Sequence, residues 1–135
     1  MYRKSLLLLL TVFLLIFLGA CNNNSNGNET DDNVIGNPTP EDILSDDKDV
    51  DIFLMDGTVY TNAEDIEWVN EEELNTGEKV GEIKNQTDDN GGFDNFTASK
   101  LPAGTEIYKS EEKNGPIYIV KLNGKEIPYI GLLEG

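Results

Sequence analysis

Residues 116–130 form the stretch that decides the fold: Pro116-Ile117-Tyr118-Ile119-Val120-Lys121-Leu122-Asn123-Gly124-Lys125-Glu126-Ile127-Pro128-Tyr129-Ile130. Two runs rich in β-branched and aromatic residues flank Asn123-Gly124, the dipeptide that most strongly favours a two-residue hairpin turn. Pro128 has no backbone N–H to donate, so we expect the second strand to lie at a sheet edge or to carry a bulge. The stretch therefore predicts a β-hairpin.

Weaker strand signals lie upstream. Asp56-Gly57 separates two apolar stretches and predicts a hairpin or a bulged strand. Residues 80–83 predict another short strand, and residues 105–109 alternate apolar and polar side chains as a half-buried strand does. Together these segments predict a mainly β domain over residues 51–135, a small barrel or sandwich of five or six short antiparallel strands with one or two short helices.

A short helix is possible after the strand signals around Asp56-Gly57. Thr61-Asn62-Ala63-Glu64 offers a cap for a short helix that runs through Trp68 and turns Ile66 and Val69 inward. An extended strand over residues 66–69 fits the same side chains equally well. Both interpretations stay open at the level of sequence.

The composition excludes most familiar enzyme classes. The chain has 135 residues, with 26 Asp and Glu against 10 Lys and Arg, no His and one Cys, for a net charge of −16. It therefore lacks the usual zinc ligands, a histidine general base and an intrachain disulfide. A domain this small also lacks the cleft that tunes a catalytic carboxyl, so we expect no enzyme activity and no cofactor.

The charge balance also argues against polyanionic ligands. A strongly acidic chain repels phosphate backbones, and Arg3 is its only arginine. Arginine is the residue best suited to bidentate capture of phosphate. We therefore expect no nucleic-acid partner.

The N-terminus carries the most specific motif. Arg3 and Lys4 precede an apolar run over residues 6–18, too short for a permanent span, and Leu18-Gly19-Ala20-Cys21 closes it. These four residues resemble the lipobox of bacterial lipoproteins. The resemblance implies cleavage between Ala20 and Cys21, a diacylglyceryl group on the Cys21 thiol, and anchoring at the outer face of the cytoplasmic membrane. Residues 1–20 would then be a signal peptide that is removed.

Residues 21–50 predict a lipidated Cys followed by an acidic, Asn- and Asp-rich disordered tether, because they contain too little apolar surface to fold. One local exception is Thr39-Pro40-Glu41-Asp42, which offers an N-cap, a proline at the first helical position and acids in the first turn. A helix over residues 40–45 with Ile43 and Leu44 docked on the domain is one interpretation. A solvated linker is the other.

The downstream chain is similar to small lipoproteins of Gram-positive bacteria that have no assigned function. The similarity is carried by short segments and by the final hairpin, and it implies no activity and no binding residues. The segments are Glu67-Trp68-Val69, Gly77-Glu78-Lys79-Val80-Gly81-Glu82-Ile83 and Lys100-Leu101-Pro102-Ala103-Gly104-Thr105.

Two sets of side chains are candidate binding residues. Asp88, Asp89 and Asp94 offer the hard oxygen ligands that Ca²⁺ prefers, although the spacing matches no EF-hand loop and a solvated turn explains it better. Three consecutive acids near a tryptophan form a candidate surface patch for a cationic partner. The simpler interpretation is a solvated charged face. The members of this patch are Trp68, Glu71, Glu72 and Glu73.

Three functions are compatible with these features. The first is a lipid-anchored accessory module that binds another protein or a wall polymer at the cell envelope. The second is a Ca²⁺-responsive surface domain, and the third is a small inhibitor or immunity protein.

Overall fold

The computed structural model describes residues 36–89, 91–111 and 115–134. The predicted signal peptide, its cleavage site at Ala20 and the lipidation site Cys21 lie outside the described residues. Eight strands and two short helices are present in the described part: α1 (Pro40–Asp46), β1 (Ile52–Met55), β2 (Thr58–Asn62), α2 (Glu67–Glu71), β3 (Thr76–Glu82), β4 (Asn85–Gln86), β5 (Thr97–Ala98), β6 (Glu106–Ser110), β7 (Ile117–Leu122) and β8 (Lys125–Gly131).

The strands form one sheet in the order β3-β6-β7-β8-β2-β1-β5-β4, curled into a half-barrel. The mainly β class with short helices is confirmed. The expectation of five or six strands is wrong, because β4 and β5 have two residues each and show no periodicity that sequence could reveal. The expectation of a purely antiparallel sheet is also wrong, since β4 and β5 pair in parallel.

The predicted C-terminal hairpin is confirmed. β7 and β8 pair without a register shift from Ile117↔Ile130 to Leu122↔Lys125. Asn123 and Gly124 both have positive φ, 53° and 77°, which is the backbone that a type I′ turn requires. The Asp56-Gly57 turn repeats this geometry between β1 and β2, with φ values of 51° and 80°.

The expectation that Pro128 marks an edge strand or a bulge is wrong. β8 pairs with β7 on one side and with β2 on the other, so it is an interior strand. The β2–β8 pairing covers residues 129–131 of β8 and stops at Asn62↔Tyr129, so Pro128 itself has no partner in β2. Pro128 contributes only its carbonyl there, which accepts the Ala63 N–H at 2.9 Å. Its missing N–H therefore interrupts no bond of the β2–β8 ladder.

The strands at the two ends of the sheet order, β3 and β4, are consecutive in the chain and are joined by a short segment of backbone. β3 pairs with β6, and β4, only two residues further along the chain, pairs with β5. Between them the Ile83 N–H donates to Thr105 and the Lys84 N–H donates to Phe96, both at 2.8 Å. A Cβ on Gly81 would lie 2.5 Å from the Phe96 ring, so this close crossing requires glycine.

The concave side of the sheet holds the main apolar core. Its members are buried and come from six of the eight strands, with two from connecting segments: Phe53, Met55, Tyr60, Ile83, Ala98, Leu101, Ile107, Val120, Ile127 and Tyr129. Phe53 stacks on Tyr60 with ring centroids 5.1 Å apart, and Tyr118 meets Tyr60 edge-on at 5.0 Å. Along β7 and β8, Val120, Ile127 and Tyr129 face this core, whereas Ile117 and Ile119 alternate to the other face and are also buried.

Helix α1 covers the outer side of β1 and β2. Leu44 is 2% exposed and packs with Ile52 and Val59. Thr39 caps the helix in a capping box with Asp42, and Pro40 opens the first turn. The docked-helix interpretation of this segment is the one that the structure shows.

Helix α2 shows that the segment around Trp68, for which the sequence allowed a helix or an extended strand, is helical. It begins at Glu67 rather than near the predicted cap, because Asn62 still pairs with Tyr129 in the sheet. Val69 is fully buried, and Ile66 is half-buried. The extended-strand interpretation of residues 66–69 is therefore wrong.

Candidate functional site

The chain between β2 and β3, residues 63–75, forms a surface that we call the 63–75 connection. Two bonds hold its first residues: the Ala63 N–H donates to the Pro128 carbonyl, and the Glu64 N–H donates to Asn62 Oδ1, both at 2.9 Å. The Asn70 side-chain amide then donates to the Glu64 carbonyl and ties α2 back to this start. The connection therefore has a fixed base, which can position a binding surface.

Trp68 projects from this base into solvent. It keeps 45% of its surface exposed, whereas its neighbour Val69 is fully buried. Successive helical residues point about 100° apart, so the inward placement of Val69 turns Trp68 outward. An exposed tryptophan is unusual because burial of so large an apolar side chain is favourable, and tryptophan is enriched at binding interfaces.

Glutamates surround Trp68 along the chain. The structure brings the predicted patch onto the one connection, with Trp68, Glu71 and Glu73 exposed and Glu72 half-buried. Glu67, which the sequence analysis did not single out, is exposed beside them. Within the described part of the chain, no ion pair includes Glu67, Glu71 or Glu73. The exposed patch therefore combines an aromatic face with at least three carboxylates, those of Glu67, Glu71 and Glu73, that no described cation neutralises.

A small cleft adjoins the far end of the connection. It has a volume of about 140 Å³ and is lined by Leu74, Ile119, Glu126 and Pro128. Ile119 and Pro128 are opposite each other in the β7–β8 register. The sequence analysis missed this cleft, because its lining comes from segments more than 40 residues apart and no local pattern marks them.

Among the described residues that line the cleft, Glu126 is the one with a charged side chain. Its Oε1 accepts the Thr76 hydroxyl at 2.9 Å and lies 3.4 Å from the Lys121 ammonium. Its Oε2 takes part in no hydrogen bond or ion pair between described residues. The Lys121 ammonium also lies 4.6 Å from the centre of the Tyr108 ring, so this cation is shared between two partners.

A charged ladder continues from this point across the outer side of the sheet. The Lys79 ammonium lies 3.3 Å from Glu106 and 3.4 Å from Glu82. The hydrogen bond to Glu106 raises the pKa of Lys79. Hydrogen bonds from Tyr108 first and Lys79 second lower the pKa of Glu106. Lys79 therefore compensates Glu82 and Glu106, whereas Glu67, Glu71 and Glu73 have no such ion pair among the described residues.

A buried polar cluster ties β8 to the start of β1. The Tyr129 hydroxyl donates to Asp51 Oδ2 at 2.8 Å, and the Asn62 amide donates to the same oxygen at 2.9 Å. Burial is the main cause that raises the pKa of Tyr129, and burial likewise raises the pKa of Tyr60 to about 12. Both phenols are therefore neutral at ordinary pH and serve as hydrogen-bonding groups in the core.

The candidate Ca²⁺ ligands use some of their bonding capacity locally. Asp89 Oδ1 accepts the Gly91 N–H at 3.1 Å, whereas at Asp94 the backbone N–H, and not the carboxylate, donates to Thr97 Oγ1 at 3.3 Å. Asp88 lines an open cleft of about 360 Å³ with Lys100 and three neutral side chains. Among the described residues, no group of three or more His, Cys, Asp or Glu side chains is arranged to hold a metal ion.

Comparison with known proteins returned no match: no family model, no curated protein and no solved structure is similar to this chain. The two resemblances suggested by the sequence therefore stay predictions. In the described part of the chain, no helix has the length and apolar character needed to cross a bilayer.

Proposed function

We propose that this protein is a lipid-anchored accessory module of a bacterial cell envelope that binds a positively charged protein or wall polymer through the 63–75 connection. The observation that carries the binding proposal is Trp68, which stays 45% exposed on α2 beside Glu67, Glu71 and Glu73, three exposed acids that form no ion pair with any described residue. An aromatic face flanked by carboxylates suits a cationic partner, because the ring and the acids both attract positive charge.

The anchoring proposal rests on Leu18-Gly19-Ala20-Cys21 and the basic and apolar residues before it. Two acyl chains on one cysteine provide stable membrane attachment where a single chain is marginal. The proposed module would act as a binding protein rather than an enzyme, because its chemistry consists of carboxylates and neutral phenols without a histidine or a second thiol.

Photo-crosslinking in the producing bacterium tests the binding proposal. A crosslinker placed at Asp65, an exposed residue of the same connection, in the full chain should capture a defined partner, and Trp68→Ala should reduce the yield at least tenfold. Leu133→Ala is the matched control, since Leu133 is also a large exposed apolar residue, 54% exposed, on a different surface. Equal yields from both variants would refute a role for the Trp68 surface.

Lipid labelling tests the anchor separately. The full chain should incorporate a labelled fatty acid, and Cys21→Ser should abolish incorporation and leave unprocessed precursor. Labelling that persists in the variant would remove the anchoring proposal and leave the binding proposal intact.

A further inference from the structure

We propose that the cleft beside the 63–75 connection receives one lysine side chain of a basic peptide. This inference rests on the proposed binding function and names the chemical group that the partner inserts. Its evidence is the volume of the cleft, the placement of its apolar walls and the state of its one carboxylate.

The volume selects a single side chain. The cleft holds about 140 Å³, whereas sites for drug-sized molecules begin at about 300 Å³. A cavity of about 150 Å³ accommodates a group the size of benzene, so the space matches one amino-acid side chain and not a sugar chain or a nucleotide.

The walls suit an aliphatic stem with a charged end. The half-buried Leu74 and Pro128 present most of the apolar surface, Ile119 lines the same cleft although it is only 2% exposed, and Glu126 supplies a carboxylate. Lysine combines four methylene groups with a terminal ammonium, and such stems bury along apolar surface while the charge reaches a polar group. The cleft thus pairs each part of the side chain with a matching surface.

The carboxylate favours lysine over arginine. Glu126 Oε1 is already engaged by Thr76 and Lys121, which leaves Oε2 as the available acceptor. A single acceptor oxygen suits the compact ammonium of lysine, while the guanidinium of arginine gains most from two parallel bonds to both oxygens. Lys121 partly neutralises the site and competes with the incoming ammonium.

The location is consistent with the Trp68 surface. Leu74 lies six residues after Trp68 in the same connection, and Glu71 and Glu73 lie between them and are exposed. A basic peptide that engages the acidic patch therefore continues along the connection towards the cleft.

The experiment uses the full-length lipoprotein in detergent micelles and a capped Gly-Lys-Gly-Lys-Gly peptide. Because Trp68 is the only tryptophan, its fluorescence reports binding at the connection, and methyl NMR of Leu74 and Ile119 reports occupation of the cleft. Glu126→Gln should weaken binding about fivefold and abolish the methyl shifts. Glu41→Gln, the same charge change on α1, should alter affinity less than twofold.

Two further comparisons test the site. Lys121→Met removes the competing cation and should tighten binding about threefold, whereas Lys109→Met should have a smaller effect. Replacing both peptide lysines with 2,3-diaminopropionate keeps the charge but shortens the stem, and should remove the Ile119 methyl shift.

The failures are distinguishable. Peptide binding that changes Trp68 fluorescence but is indifferent to Glu126→Gln overturns the cleft and leaves the proposed function standing. Binding that survives Trp68→Ala, with methyl shifts at the cleft, would overturn the Trp68 surface and support the cleft alone. No binding to the lysine peptide at millimolar concentration would overturn the cleft, and the crosslinking experiment would then decide the proposed function by itself.

Discussion

Helices α1 and α2 are both short, both lie beside the sheet and both bury an aliphatic side chain against it, yet they differ in what they leave exposed. α1 has a complete capping box and buries Leu44 in an apolar cluster. α2 has no side-chain cap, and it buries Val69 while exposing Trp68. The difference indicates that α1 serves the stability of the domain and that α2 is positioned to present a surface.

The largest effect should separate Leu44 from Trp68. Leu44→Ala should lower the free energy of unfolding by about 3 kcal/mol, because it leaves a cavity among Ile52 and Val59. Trp68→Ala should change it by no more than about 0.5 kcal/mol, because the side chain is half in solvent. Urea unfolding followed by circular dichroism measures both, since the second variant has no tryptophan to report. A loss of several kcal/mol from Trp68→Ala would show that this residue is structural.

A smaller effect should distinguish the two helix starts. Thr39→Ala removes the cap of α1 and should cost about 1 kcal/mol of stability. Hydrogen bonds from Thr39 lower the pKa of Asp42 below its usual 3.8. Because the pKa of Asp42 is lower in the folded protein than in the unfolded chain, the ionised carboxylate stabilises the folded state at pH values above its ordinary pKa. This stabilisation is lost as the pH falls through the lower pKa of the folded state.

The dependence on pH provides the control for this cap. Between pH 5 and about pH 3 the wild-type protein should lose part of the stability of α1, and Thr39→Ala should lose less over the same range. Hydrogen exchange of the Ile43 amide, which donates to the Thr39 carbonyl, follows α1 directly. Identical pH profiles in both proteins would show that ionisation of Asp42 does not contribute to the stability of α1.

The smallest effect is expected in the loop that contains Asp88, Asp89 and Asp94, outside both helices in the chain. Calcium at millimolar concentration should shift the melting temperature of the full chain by less than about 1 °C, because a cation that finds no formed site stabilises nothing. Differential scanning calorimetry with magnesium as the control cation measures the shift. A larger, calcium-specific rise that Asp89→Asn abolishes would establish a cation site at this loop.

Local signals account for the parts of the fold that sequence predicted correctly. Asn123-Gly124 and Asp56-Gly57 adopt positive φ at small steric cost, so the two hairpins follow from adjacent residues. The capping box of α1 is likewise complete within Thr39 to Asp42. The members of the proposed Trp68 patch are likewise neighbours along the chain, so their grouping needs no long-range contact, and their role as a binding surface stays a prediction.

Long-range pairing accounts for the errors. Pro128 lies in an interior strand because β2 pairs with β8 only beyond it, and residues 62 and 129 are too far apart in sequence for any local pattern to show this. β4 and β5 exist because residues 85–86 meet residues 97–98 in parallel. Glu126 became part of a cleft only when the connection brought Leu74 onto the β7–β8 hairpin.

The sequence by itself determined the turns, the cap of α1, the β-rich class and the acidity, because each depends on single residues or on neighbours within a few positions. The tertiary structure alone decided which aliphatic side chains are buried and which aromatic is exposed, and it alone built the cleft at Glu126. Those outcomes depend on contacts between distant segments, whose closure becomes favourable only when the whole sheet forms and buries its core.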